Sequence, residues 1–132
     1  MDGNLLYNTS VKKLYEFNIP DLPPSLNSVY KIGRGKMYKS DDVLVFEKIF
    51  AYTAPKLPAP IEEEVSLSLT FTFADRRKYK MSDIDNLCKV MLDTLQKFGV
   101  IKNDRLIVEL NVKKEAGQKD STVGLLYSKS PL

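Results

Sequence analysis

A chain of 132 residues is long enough to bury one core and short for two, so residues 1–132 are expected to form a single domain. Its 43% hydrophobic and 28% charged residues are globular in balance, and no apolar run approaches the roughly 20 residues a membrane span requires. With His 0 and a single cysteine, Cys88, the sequence excludes Ser-His-Asp hydrolysis, a Cys-His pair, histidine-ligated metals and an internal disulfide; carboxylates, lysine, tyrosine or metal-bound water remain.

The opening Met1-Asp2-Gly3-Asn4 lacks the basic and apolar regions of a secretory signal, and a cytoplasmic protein is expected. Lys13 to Ile19 alternates as a strand, and Pro20, Pro23 and Pro24 break it into a loop carrying Ser25, Leu26, Asn27 and Tyr30. Val29 to Ile32 and Lys36 to Lys39, separated by Gly33 and Gly35, suggest a small hairpin with a basic tip. Ser40-Asp41-Asp42 marks a helix start with acids in its positively polarised first turn, and the helix runs to about Thr53 with Val43, Phe46, Ile49 and Phe50 as its apolar stripe. Lys56 to Glu64 is a proline-rich, then acidic, surface connection.

Val65 to Phe73 (VSLSLTFTF) alternates apolar and hydroxyl side chains without a break, the pattern of a strand buried on one face. A basic turn, Arg76-Arg77-Lys78-Tyr79-Lys80, leads into a second helix from about Ser82 to Phe98, where Ile84, Leu87, Cys88, Met91, Leu95 and Phe98 recur at helical spacing and Gly99 supplies the stop. Leu106 to Val112 and Val123 to Tyr127 complete the strands, with Gly117 in the turn between them. The sum is an α+β fold: a mostly antiparallel sheet of about four strands packed against two helices.

The chemistry-bearing residues gather at the start of the second helix. Asp83 and Asp85 lie two apart and can turn toward one spot only at a helix end, because i and i+2 within a helix point to nearly opposite sides. Lys89 follows four residues after Asp85 on the same face, and Asp93 continues it. Helix capping by Ser82 and Asp85, with an ordinary Asp85–Lys89 surface pair, explains the same residues. Asn103-Asp104 stands after the helix, and local geometry leaves open whether Asp104 reaches the first pair within one subunit or from a second. If three carboxylates did meet, each pair at 4 Å would repel by about 4 kcal/mol at an effective dielectric near 20, so a cation would be required. Oxygen-only ligands select Mg²⁺ or Mn²⁺, the equipment of phosphoryl transfer.

Basic residues cluster in Lys31, Arg34, Lys36 and Lys39, in Arg76, Arg77, Lys78 and Lys80, and in Lys113, Lys114 and Lys119, on a net charge of +3. Such runs serve as solvated loops or as phosphate contacts.

Asp83-x-Asp85-Asn86-Leu87-x-Lys89, then Leu92-Asp93-Thr94-Leu95, Gly99-Val100 and Asn103-Asp104, preceded by Pro23-Pro24-Ser25-Leu26-Asn27, resemble in order and spacing the RusA family of Holliday-junction resolvases over roughly Pro23 to Lys113. The resemblance implies a homodimeric, Mg²⁺-dependent endonuclease, bacterial or phage-encoded, that needs no organic cofactor and cuts four-way and related branched DNA symmetrically in recombination and repair. It also implies that Asp83, Asp85 and Asp104 hold the metal and that Lys89 assists. Asn103 departs from the pattern, standing where many relatives have a second aspartate, and Asp93 is expected to be structural. DNA contacts are expected from Arg76, Arg77, Lys78, Lys80, Asn27, Lys31, Arg34 and Lys36, with Tyr30 and Tyr38 offering aromatic faces. A branched-DNA-binding module without turnover, and a metal-dependent phosphohydrolase acting on nucleotides or RNA, are the competing expectations.

Overall fold

The computed structural model describes residues 11–24, 30–33, 36–39 and 41–129; of residues 30–33 and 36–39 it describes the backbone alone. In chain order the elements are β1 (Lys13–Ile19), β2 (Tyr30–Gly33), β3 (Lys36–Lys39), α1 (Asp41–Thr53), β4 (Val65–Phe73), α2 (Arg76–Met81), α3 (Ile84–Lys97), a 3₁₀ turn at Asp104–Leu106, β5 (Ile107–Ala116) and β6 (Ser121–Ser128). The alternation of β4 is realised residue by residue, with Val65, Leu67, Leu69, Phe71 and Phe73 buried and the intervening Ser and Thr half-exposed. β1 alternates less completely, burying Tyr15, Phe17 and Ile19. α1 and α3 cover the apolar face of the sheet through Val43, Phe46 and Phe50 and through Leu87, Cys88, Val90, Met91 and Leu95.

β1, β6, β4 and β5 form one sheet in that order, while β2 and β3 pair separately as an antiparallel hairpin. The sheet is mixed. β4 pairs antiparallel with β6 but parallel with β5, because a parallel neighbour needs a long crossover and the chain between Phe73 and Ile107 supplies one in α2 and α3. The turn after β5 therefore steps across the end of β4 instead of closing a hairpin: the Gly117 amide donates to the Phe73 carbonyl at 2.9 Å, and Asp120 accepts from the Ala74 amide at 2.9 Å. Two of its three pairings are antiparallel, as expected; a period-2 pattern carries no information about strand direction, so the parallel β4–β5 pair is not legible in the alternation.

The stretch expected to be a basic turn is also different. Asp75 accepts hydrogen bonds from the amides of Arg77 (2.8 Å) and Lys78 (3.1 Å), and this cap starts the short helix α2. α3 begins at Ile84, not Ser82, with Asp83 as its N-cap residue. It ends at Gly99, whose φ of 74° suits a residue without a Cβ. Between α1 and α3, Glu47 is only 5% exposed and pairs with Lys97 at 3.0 Å.

β6 passes Gly124 directly opposite Phe17 of β1, and the Phe17 ring lies where a Cβ on Gly124 would project. Gly124→Ala is expected to force that ring out of its buried position and to lower stability by about 1–3 kcal/mol. Urea unfolding checks this; an unchanged midpoint would mean that the ring has room to move.

Candidate active site

The local chemistry of each aspartate separates scaffold from site. Asp75 is engaged as the cap of α2, and Asn103 accepts from the Arg105 amide at 2.9 Å and caps the 3₁₀ turn. Asp83 holds the N-cap position of α3 yet makes no side-chain cap bond; its carboxylate receives only a 3.5 Å contact from the Asn86 amide group. Among the described residues, no hydrogen bond or ion pair engages the carboxylates of Asp85 or Asp104 or the ammonium of Lys89. Asp83, Asp85, Lys89, Asp93 and Asp104 are all exposed. Side-chain capping bonds therefore do not account for Asp83 and Asp85, although Asp85 in the first turn still suits the helix dipole, and the Asp85–Lys89 pair of the capping reading is not formed.

α3 and β5 run antiparallel and enclose a cleft of about 550 Å³. Its helix wall is Ile84, Asp85, Cys88, Lys89, Leu92 and Asp93, its strand wall Leu110 and Val112, and Asp104 closes one end. Two contacts fix the polarity. At the α3 N-terminus, the Lys114 ammonium of β5 donates to the carbonyls of Tyr79 (2.6 Å) and Ser82 (2.8 Å) and lies 4.9 Å from the centre of the Tyr79 ring. At the other end, the Asp104 amide donates to the Gln96 side chain at 3.0 Å.

Asp85 and Asp104 thus share one cleft but mark its opposite ends. Asp85 and Asp93 alone are two helical turns apart, roughly 12 Å along the axis. Asp83 is not part of the cleft lining, and among the described residues no three carboxylate or thiol side chains stand together closely enough to hold one ion. Within one subunit, then, the structure brings Asp85, Lys89 and Asp104 to a common groove without bringing Asp83, Asp85 and Asp104 to a common point. As a donor set Asp83, Asp85 and Asp104 fit a hard divalent ion, being oxygen-only, exposed and, among the described residues, without an ion pair; Mg²⁺ takes one or two carboxylates and fills its shell with water and phosphate oxygens.

Cys88 sits in the cleft wall with its thiol pushed up from the ordinary value, by burial first and the Asp85 charge second. A thiol so shifted is a packing group and not a nucleophile.

A second cleft, of about 510 Å³, opens at the α2–α3 junction and is lined by Asp21, Pro23, Pro24, Asp42, Lys78, Ser82 and Asp120, among others. Pro23 and Pro24, distant in sequence from the aspartates, are thereby brought to the residue preceding Asp83. Arg76, Arg77, Lys78 and Lys80 are all exposed on α2 beside it. Asn27 and Arg34 lie outside the described residues, as do the side chains of Tyr30, Lys31, Lys36 and Tyr38.

Lys114 is the contributor that sequence reasoning treated only as part of a basic group. The signal for it lay in β5 continuing past Val112, since Lys114 then falls on the same strand face as Leu110 and Val112, the face turned to the helices. Its ammonium satisfies carbonyls at the C-terminal end of α2, where the helix leaves such groups unpaired.

Comparison with known proteins agrees with the motif reading. Residues 21–124 match the family described as Endodeoxyribonuclease RusA. The chain is also 34% identical over 121 residues to a crossover junction endodeoxyribonuclease RusA of Aquifex aeolicus (strain VF5), an alignment covering 88% of this chain and 94% of that one.

Lys114→Met keeps the side-chain stem but leaves the Tyr79 and Ser82 carbonyls without their donor. A loss of about 1–3 kcal/mol is expected, with faster amide hydrogen exchange concentrated at 79–86. Uniform exchange across the chain would instead assign Lys114 no special hold on this junction.

Proposed function

The chain belongs to the RusA family of endodeoxyribonucleases, and from that membership we propose that it resolves Holliday junctions and related branched DNA by paired, symmetric cleavage with Mg²⁺ or Mn²⁺. The observation that supports the assignment of residues is a contrast among the aspartates: Asp75 is bound up in the cap of α2, whereas the carboxylates of Asp83, Asp85 and Asp104 are exposed and make no side-chain cap bond, Asp83 receiving only the 3.5 Å contact from Asn86. Asp83, Asp85 and Asp104 are the metal ligands in this reading. Because Asp104 sits at the far end of the groove from Asp83, the set is completed across a homodimer, with Asp104 coming from the partner subunit. When bound, the ion supplies polarisation of the scissile phosphate and a water of lowered pKa.

The remaining steps belong to side chains. Lys89, on the face of Asp85, directs its ammonium at the charge that develops on the phosphate. The exposed Arg76, Arg77, Lys78 and Lys80 of α2 hold backbone phosphates next to Asp83, and Asn27, Lys31, Arg34 and Lys36 extend that contact in the N-terminal half. A non-catalytic junction binder would have no use for unengaged acids placed in the path of a phosphate backbone, since they repel it.

A labelled four-way junction incubated with Mg²⁺ should give paired symmetric nicks that EDTA abolishes. Asp83→Asn and Asp85→Asn should each reduce cleavage by about 100-fold or more while junction binding is retained or strengthened, the loss exceeding the 10–100-fold typical of groups outside a metal's ligands. Parallel loss of binding and cutting would contradict the assignment. Arg77→Ala should weaken binding and flatten its salt dependence, because fewer counterions are released; an unchanged slope would remove α2 from the interface.

A further inference from the structure

From Arg76 to Asp85 every exposed residue is charged except Met81 and Ile84, which flank Asp83 at 75% and 38% exposure. Ile84 has a place in the fold, as part of the groove wall beneath α3. Met81 belongs to neither cleft and packs against no part of the core. A large apolar side chain thus stands in water on the helix that carries Arg76, Arg77, Lys78 and Lys80.

The backbone fixes where Met81 points. The Tyr79 amide donates to the Asp75 carbonyl and the Ser82 amide to the Lys78 carbonyl, each at 3.0 Å, so the chain is helical up to Ser82. On such a helix Met81 lies over Arg77, four residues back, and nearly opposite Tyr79, two residues back. Tyr79 is the inward residue, its ring centre 6.0 Å from that of Phe73. Met81 therefore crowns the outer ridge of α2 with Arg77. It is also held there, because Lys114 binds the Tyr79 and Ser82 carbonyls that bracket it, at 2.6 and 2.8 Å.

We infer that Met81 is a wedge that enters between unstacked bases at a DNA branch point, and that it gives this chain a preference for branched over continuous duplex. The inference rests on the branched-DNA reading of the preceding section and adds to it the residue that senses the branch. Phosphate contacts from the cations of α2 position the chain on any DNA and do not distinguish one shape from another. An apolar side chain does distinguish them. To enter a continuous duplex it must open a base step at a cost of a few kcal/mol, whereas at a branch the stack is already interrupted and the base faces are open to apolar contact. Methionine suits the task, being unbranched, apolar and polarizable enough to lie against a ring. The surrounding cations supply the complement to the phosphates on either side of the entry point, and the Lys114 anchor keeps the side chain from swinging away as the bases part.

The test uses a four-way junction and a linear duplex of the same sequence, each carrying the fluorescent base aminopurine, with EDTA present so that binding is read without cleavage. Wild-type protein should raise the fluorescence of aminopurine placed at the branch, as its neighbour is unstacked, and leave it unchanged deep in an arm or in the duplex. Met81→Ala should lose that rise and lower the preference for junction over duplex by about tenfold, with duplex affinity unchanged. Met81→Leu should retain both. Arg77→Ala provides the contrast, weakening junction and duplex alike. A wild type that gives no rise at the branch, a Met81→Ala variant that keeps the rise and the preference, or one that loses junction and duplex binding by the same factor each overturn the proposal. Cleavage with Mg²⁺ is read separately. A wild type that cuts junctions while Met81→Ala keeps the rise and the preference sinks the wedge alone. A Met81-dependent rise without cleavage sinks the nuclease reading and leaves the wedge standing.

Discussion

Lys114 holds the carbonyls of Tyr79 and Ser82 on β5 at one end of a groove, and Gln96 holds the amide of Asp104 at the other. Between these two anchors α3 and β5 run in opposite directions, and that opposition governs the chemistry. Acids on the first turn of the helix and acids on the turn after it are kept apart by the length of the helix itself. A single subunit consequently avoids the repulsion that three gathered carboxylates would impose, about 4 kcal/mol for each pair at 4 Å and an effective dielectric near 20. In the proposed homodimer a partner subunit reverses the arrangement, by supplying from a second chain the acid that the fold keeps distant within one.

The scaffold around this groove is conventional in its energetics. Its apolar face is buried by strict alternation on β4 and by helical stripes on α1 and α3. Among the described residues the one buried acid, Glu47, is matched by Lys97. What is unusual is confined to the α2–α3 junction. There two helices meet within a few residues, a strand lysine binds them, and one cleft reaches Ser82 while another begins at Ile84.

Much of this was legible in the sequence, for identifiable reasons. β1 and β4 were readable to the residue because alternation is a strong signal when one face is buried, and Asp41 to Thr53 because acids and an apolar stripe mark both its start and its face. α2 is not legible because its cap, Asp75, precedes six residues of which only Tyr79 is even partly buried, the apolar Met81 being exposed. The direction of β5 escaped because periodicity is blind to it. Among site residues, the ordered aspartates and Lys89 were visible as a motif. The sequence could not decide whether the acids meet, since that depends on the angle between α3 and β5 and on what a second subunit supplies. Lys114 was hidden by its neighbours: in a run of charges, the residue that turns inward looks like those that turn outward.

The central claim is that ligands separated in one chain converge across two. Crystals of the dimer soaked in Mn²⁺ would test it through anomalous scattering. The account predicts a peak between Asp83 and Asp85 of one subunit and Asp104 of the other. A peak held by one subunit alone, or an Asp104 facing bulk solvent in both, would contradict it.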